Sequence, residues 1–123
     1  MPAEINDDSF WQEFRRRVRA INPDAYIVGE IWHEAQRWLQ GDQFDAVMNY
    51  QFTQACVGFF AGEGMNRHYE KGMMGLPDTP MMDAPAFAQR VEALLGLYPA
   101  PVAAAQLNLL DGHDMPRFLS IAG

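Results

Sequence analysis

The stretch Tyr26-Ile27-Val28-Gly29-Glu30-Ile31-Trp32-His33-Glu34-Ala35 joins a short apolar run to a carboxylate, an indole and an imidazole. Tyr26 to Ile31 reads as a buried strand. An ionised carboxylate is costly to bury unless it is paired, so a strand interior has no use for Glu30. At the C-terminal end of the strand the same acid can face a cleft. Parallel α/β folds place their chemistry at that end. Glu30 is therefore the first candidate for a working residue.

The flanking sequence supports an α/β reading. Asp7, Asp8 and Ser9 offer N-caps, and Ser9-x-x-Gln12 resembles a capping box. Phe10, Phe14, Val18 and Ile21 follow at helical spacing, with Trp11 beside them, until Asn22-Pro23-Asp24 stops the helix. Ala35 to Gln40 reads as a short helix or turn ended by Gly41. Phe44 to Tyr50 reads as a second strand, and Phe52, Cys56, Phe59 and Phe60 as an amphipathic helix. Gly62 to Pro80 has no clear period and reads as a long loop with at most a helical turn; the pairs Met73-Met74 and Met81-Met82 read as its anchors. Asp83-Ala84-Pro85 opens a helix through Phe87, Val91, Leu94, Leu95 and Tyr98, which Pro99 and Pro101 end. Val102 to Leu110 is expected to form a third strand, with Asp111-Gly112-His113-Asp114 leaving its end and a helix starting at Met115. Alternating helices and strands imply parallel strands with right-handed crossovers.

Composition narrows the function. The chain has 123 residues, 49% of them hydrophobic and 12% aromatic, enough for a packed core in one domain. A net charge of −7 argues against a nucleic-acid partner. The one basic cluster, Arg15-Arg16-Arg17 with Arg19, lies in a helical pattern and reads as a solvated face. The single cysteine, Cys56, rules out an internal disulfide. No signal peptide or membrane-spanning run is visible, so a cytoplasmic location and no membrane partner are expected. His33, His68 and His113 lack metal-ligand spacing, and no cofactor is expected.

Two of the three expected strands end in an acid next to a histidine, Glu30 with His33 and Asp114 with His113. In a parallel sheet both ends lie on one side, so the two carboxylates could share a cleft. Glycosidic bond cleavage needs such a pair in different environments, one protonated and one ionised. Trp32 would suit the apolar face of a sugar ring. Each residue also has a structural reading. Glu30 could be ion-paired or cap a helix, His33 could lie on the surface, His113-Asp114 could be a turn with an Asp N-cap, and Trp32 could simply pack.

Beyond spacing, the motifs resemble a family. Val28-Gly29-Glu30-Ile31-Trp32-His33 is similar to the region of the α-amylase family that carries its general acid/base. Leu107 to Arg117, Leu-Asn-Leu-Leu-Asp-Gly-His-Asp-Met-Pro-Arg, is similar to that family's later His-Asp region. Trp38 to Tyr50 most resembles the neopullulanase, cyclomaltodextrinase and maltogenic amylase branch. The resemblance implies a (β/α)8 (TIM) barrel, of which residues 1–123 would be a part of the catalytic domain covering about strands 5–7 and their helices, not a closed barrel. It implies a retaining glycoside hydrolase acting on α-1,4 and also α-1,6 bonds of an α-glucan oligosaccharide or cyclodextrin. Glu30 would be the acid/base and Asp114 the transition-state stabiliser. His113, Trp32, His33 and Arg117 would bind substrate.

The departures matter as much. The family's nucleophilic aspartate ends the fourth strand, in a motif like Arg-x-Asp-Val, just before residues like Pro2-Ala3-Glu4-Ile5. No residue here inherits that role. Position 115 is Met where the family usually has Thr. A retaining glycosidase needs its nucleophile about 5–5.5 Å from its acid, so these 123 residues alone are expected to be inactive. Two other readings stand beside this one. The chain could be a non-catalytic barrel fragment that binds oligosaccharide weakly or forms homo-oligomers through exposed strand edges. It could also be an unrelated α/β domain, in which case Glu30 and Asp114 would not share a cleft.

Overall fold

The computed structural model describes residues 5–70 and 78–123. Helix α1, Asp8–Ile21, opens the fold. Its N-cap is Asp7, whose carboxylate accepts from the amides of Ser9 and Phe10 at 2.9 and 3.3 Å and from the Ser9 hydroxyl at 2.6 Å. The expected Ser9–Gln12 capping box does not form. Asp7 already satisfies the first free amides, and the Gln12 amide donates to Asp42 at 2.7 Å.

Two short parallel strands follow, β1 (Val28–Gly29) and β2 (Ala46–Val47), with Val28 opposite Ala46 and Gly29 opposite Val47. A single parallel bridge sets Leu107 beside Met48. The Leu107 amide donates to Val47 at 3.2 Å, and Leu107 accepts from Asn49 at 2.9 Å. Three consecutive extended segments thus run side by side in one direction, an open piece of the kind a partial barrel presents.

The regular strands are shorter than expected, and the third is corrected. Residues 102–105 belong to helix α5, Ala100–Ala105, and only Leu107 pairs. Pro99 is the helix's N-cap and Pro101 lies in its first turn, where a missing N–H costs nothing. Three alanines then favour helix. These prolines start a helix rather than end one. The preceding α4, Ala84–Leu95, stops at Gly96, and its N-cap Asp83 accepts from Ala86 at 2.9 Å. Tyr50, expected to close the second strand, instead opens α2, Tyr50–Cys56, because Asn49 accepts from Phe52 at 3.2 Å and caps it.

Helix α2 runs into a π-helical turn, Val57–Ala61, and then a 3-10 turn, Gly62–Gly64. The wider turn rotates the apolar stripe. Tyr50, Thr53, Cys56, Val57 and Ala61 are buried, whereas Phe60, expected to face inwards, is 63% exposed. Gly58 permits this packing, since a Cβ there would lie 2.3 Å from the Pro80 carbonyl oxygen. The Gly58 carbonyl also accepts from Met82 at 3.0 Å. Within the expected loop, Arg67–Glu70 forms the short helix α3. Met73-Met74 lies outside the described residues. Helix α6 is Phe118–Ala122.

Two cores hold these pieces together. One packs Trp11 of α1 against Ile27, Ile31, Ala35, Trp38, Leu39, Phe44 and Val47. Gly29 lets the Phe44 ring close over β1, as a Cβ there would approach it to 2.6 Å. The other core gathers Tyr50, Val57, Ala61, Met65, Met115 and Ile121, with Trp32 and Met48 against them. The basic cluster divides in two. Arg16 and Arg17 form the solvated face expected, pairing with Glu13 and holding its carboxyl down to about 2. Arg15 and Arg19 turn inwards to Asp45 at 2.8 and 2.9 Å.

Candidate active site

Glu30 directly follows Gly29, the last residue of β1, and is half-buried. Its Oε1 accepts from the Tyr50 hydroxyl at 3.2 Å. Tyr50 is 2% exposed, and its ring stacks on Trp32 with centroids 3.6 Å apart and planes 5° from parallel. The Tyr50 phenol is pushed well above its ordinary value. Burial is the largest cause, followed by the Glu30 charge, the hydrogen bond to it, and the Asp114 charge. Ionising a phenol beside one carboxylate and within electrostatic reach of another is unfavourable. Tyr50 therefore lies where it senses both acids that the sequence singles out.

Asp114 lies beyond the Leu107 segment, which is tied to α2. The Thr53 hydroxyl donates to the Leu109 carbonyl at 2.8 Å, tying α2 to that segment. Asn49 donates through its side chain to Asn108 at 2.9 Å. The loop beyond is closed by Asp111, which accepts from Arg117 Nη1 at 2.7 Å and from the Phe118 amide at 3.0 Å. Those bonds, the Phe118 amide first, hold the Asp111 carboxyl below its usual range. Next to Asp114, Met115 is buried in the core that contains Tyr50. His113 pairs through Nε2 with Asp114 at 3.1 Å, both side chains open to solvent.

The remaining candidates are more dispersed. Trp32 joins the Tyr50 stack. His33 is exposed, its Nδ1 2.9 Å from the Glu34 carbonyl oxygen and its ring 5.7 Å from that of Trp38. Arg117 is committed to Asp111. Tyr50 and Asp111 were missed as site residues from sequence. Tyr50 closes the apolar run Phe44–Tyr50 at the same end as Glu30 closes its own, and that shared position was the available signal. Asp111 carried none, since an acid ahead of Gly-His-Asp reads as a turn residue. Among the described residues no group of three His, Cys, Asp or Glu side chains is placed to hold a metal ion. Nor is any helix among them long and apolar enough to cross a membrane.

Comparison with known proteins identifies the family. A family described as alpha amylase, catalytic domain, matches residues 3–123. The chain is 46% identical over 117 residues to a cyclomaltodextrinase of Geobacillus thermopakistaniensis (strain MAS1), covering 95% of this chain and 17% of that protein. It is 44% identical over 117 residues to neopullulanase 2 of Thermoactinomyces vulgaris, with the same two coverages. The chain thus spans 17% of the length of these curated relatives. Among solved structures, a protein of Thermus thermophilus superposes with a TM-score of 0.90 at 52% identity, over 97% of this chain and 25% of that one. The native Nostoc punctiforme debranching enzyme gives 0.84 at 44% identity, over 92% of this chain and 23% of that one. The chain belongs to the α-amylase family of glycoside hydrolases and forms part of its catalytic domain.

Proposed function

We propose that these residues supply two of the working carboxylates of a retaining α-glucan hydrolase. Glu30 is the general acid/base: it protonates the leaving glycosidic oxygen, then takes a proton from the incoming water. Asp114 steadies the distorted sugar, with His113, Trp32 and His33 along the cleft. Arg117 serves through the Asp111 pair that shapes the loop. On this reading the three extended segments are strands 5–7 of the eight-stranded barrel, and residues 1–123 are one section of that domain. The substrates are maltodextrins or cyclodextrins, linked α-1,4 and also α-1,6, as the names of the relatives suggest. The intracellular maltogenic amylase of Bacillus subtilis, 38% identical over 114 residues, favours action inside the cell.

One observation carries the proposal. The buried Tyr50 hydroxyl bonds Glu30 at 3.2 Å, and the segment that leads to Asp114 is hydrogen-bonded to Asn49 and Thr53 on either side of that tyrosine. The family match over residues 3–123 removes the reading as an unrelated α/β domain. The nucleophile is not among these residues, and a polypeptide of these 123 alone is expected to release no sugar. The test is reducing-sugar release from maltodextrin and cyclodextrin by the complete polypeptide in which these residues occur. Glu30→Gln and Asp114→Asn should each cost about 10²-fold or more in kcat. Full turnover by either variant would refute the assignment.

A further inference from the structure

We propose that Tyr50 is the positioning residue of Glu30, fixing the carboxyl by a hydroxyl hydrogen bond while Trp32 fixes the phenol ring. The inference rests on Glu30 being the acid/base. A glutamate side chain has three rotatable torsions, and only a narrow set of them aims the carboxyl at a glycosidic oxygen. Among the described residues the Tyr50 hydroxyl gives Glu30 a side-chain tether, at 3.2 Å.

The tether is well anchored. Tyr50 is 2% exposed and starts α2, its amide bonded to Met48 at 2.9 Å. Asn49 beside it donates to Leu107 at 2.9 Å, so the phenol is referenced to the segment that leads to Asp114. The parallel stack on Trp32 leaves its ring little room to swing. The hydroxyl has a second acceptor within reach, the Met48 sulfur at 3.6 Å. A thioether accepts weakly, whereas a carboxylate accepts strongly, so the proton points to Glu30. The bond is longer than a closed charge-assisted O–H···O contact of about 2.5–2.7 Å.

The bond can be read directly in this chain by proton NMR. A buried, bonded tyrosine hydroxyl exchanges slowly enough to give its own resonance, assigned by its absence in Tyr50→Phe. Glu30→Ala should abolish or strongly shift it. Glu30→Gln, which keeps an acceptor oxygen and the side-chain volume, should retain it. A Tyr50 hydroxyl resonance indifferent to Glu30→Ala, or absent from the folded wild-type chain, overturns the proposal. In the complete polypeptide, Tyr50→Phe should lower kcat about tenfold to a hundredfold and leave KM nearly unchanged, because the ring and its stack persist. If Glu30→Gln abolishes turnover while Tyr50→Phe keeps full kcat, the positioning role is wrong. If Glu30→Gln itself stays active, the acid/base reading fails, and the positioning role fails with it even where the NMR bond is seen.

Discussion

At the scale of single residues, the carboxylates divide by what they bond. Asp45 is the structural one. Partial burial pushes its carboxyl up, but the Arg15 guanidinium, the Ile27 amide at 2.8 Å and Arg19 outweigh that, and it sits below the ordinary 3.8. A carboxyl lowered on folding adds stability that is complete above its unfolded value and fades as pH falls through the folded one. Acid unfolding should therefore set in below about pH 4, and Asp45→Asn should cost about 2 kcal/mol at neutral pH, measured by urea titration at both pH values. Tyr50 has the opposite sign. Its raised phenol adds stability that is complete below about pH 10 and is lost as pH rises above it. Asp111→Ala should free Arg117 and the Phe118 amide, loosening the His113-Asp114 loop. Faster hydrogen exchange at residues 112–118, with the β1 and β2 amides unchanged, is the expected readout. Glu30 and Asp114 were legible as candidates because strand ends and neighbouring histidines are properties of sequence. The Tyr50 bond was not, because it depends on β2 ending just before the helix begins.

At the scale of elements, the parallel alternation was readable from periodicity, and the boundaries were not. The strand expected at 102–110 lost its first four residues to α5, since Pro99 and Pro101 suit the start of a helix as well as the end of one. The helix after β2 was legible, and Cys56 is buried as expected, but Phe60 is not, because a π turn shifts the later side chains around the axis. Gly58 is the point where that turn meets the 79–82 segment. Gly58→Ala should force the Pro80 carbonyl away and cost about 1–3 kcal/mol. Gly29→Ala should do similar damage through the Phe44 ring, which is 1% exposed and has nowhere to move. Thermal unfolding followed by far-UV circular dichroism checks both, and an unchanged midpoint for Gly58→Ala would contradict the close approach.

At the scale of the molecule, three parallel segments do not close on themselves. Ile21, Leu119, Phe60 and Leu95 are 88%, 81%, 63% and 62% exposed, which is apolar surface that a closed barrel would have reason to cover. A polypeptide of these 123 residues should accordingly self-associate, seen as a concentration-dependent mass in analytical ultracentrifugation. A monomer at all concentrations would show that the exposed side chains do not drive association. The chain is one part of the catalytic domain of its family and spans 17% of the length of its curated relatives. The central claim, that Glu30 protonates the departing oxygen, is tested most directly by leaving-group dependence in the complete polypeptide. Glu30→Gln should slow maltodextrin hydrolysis by about 10²–10⁴ yet release dinitrophenolate from a dinitrophenyl α-maltoside in a burst close to wild type, because that leaving group needs no proton. Equal losses on both substrates, or no loss on either, would contradict it.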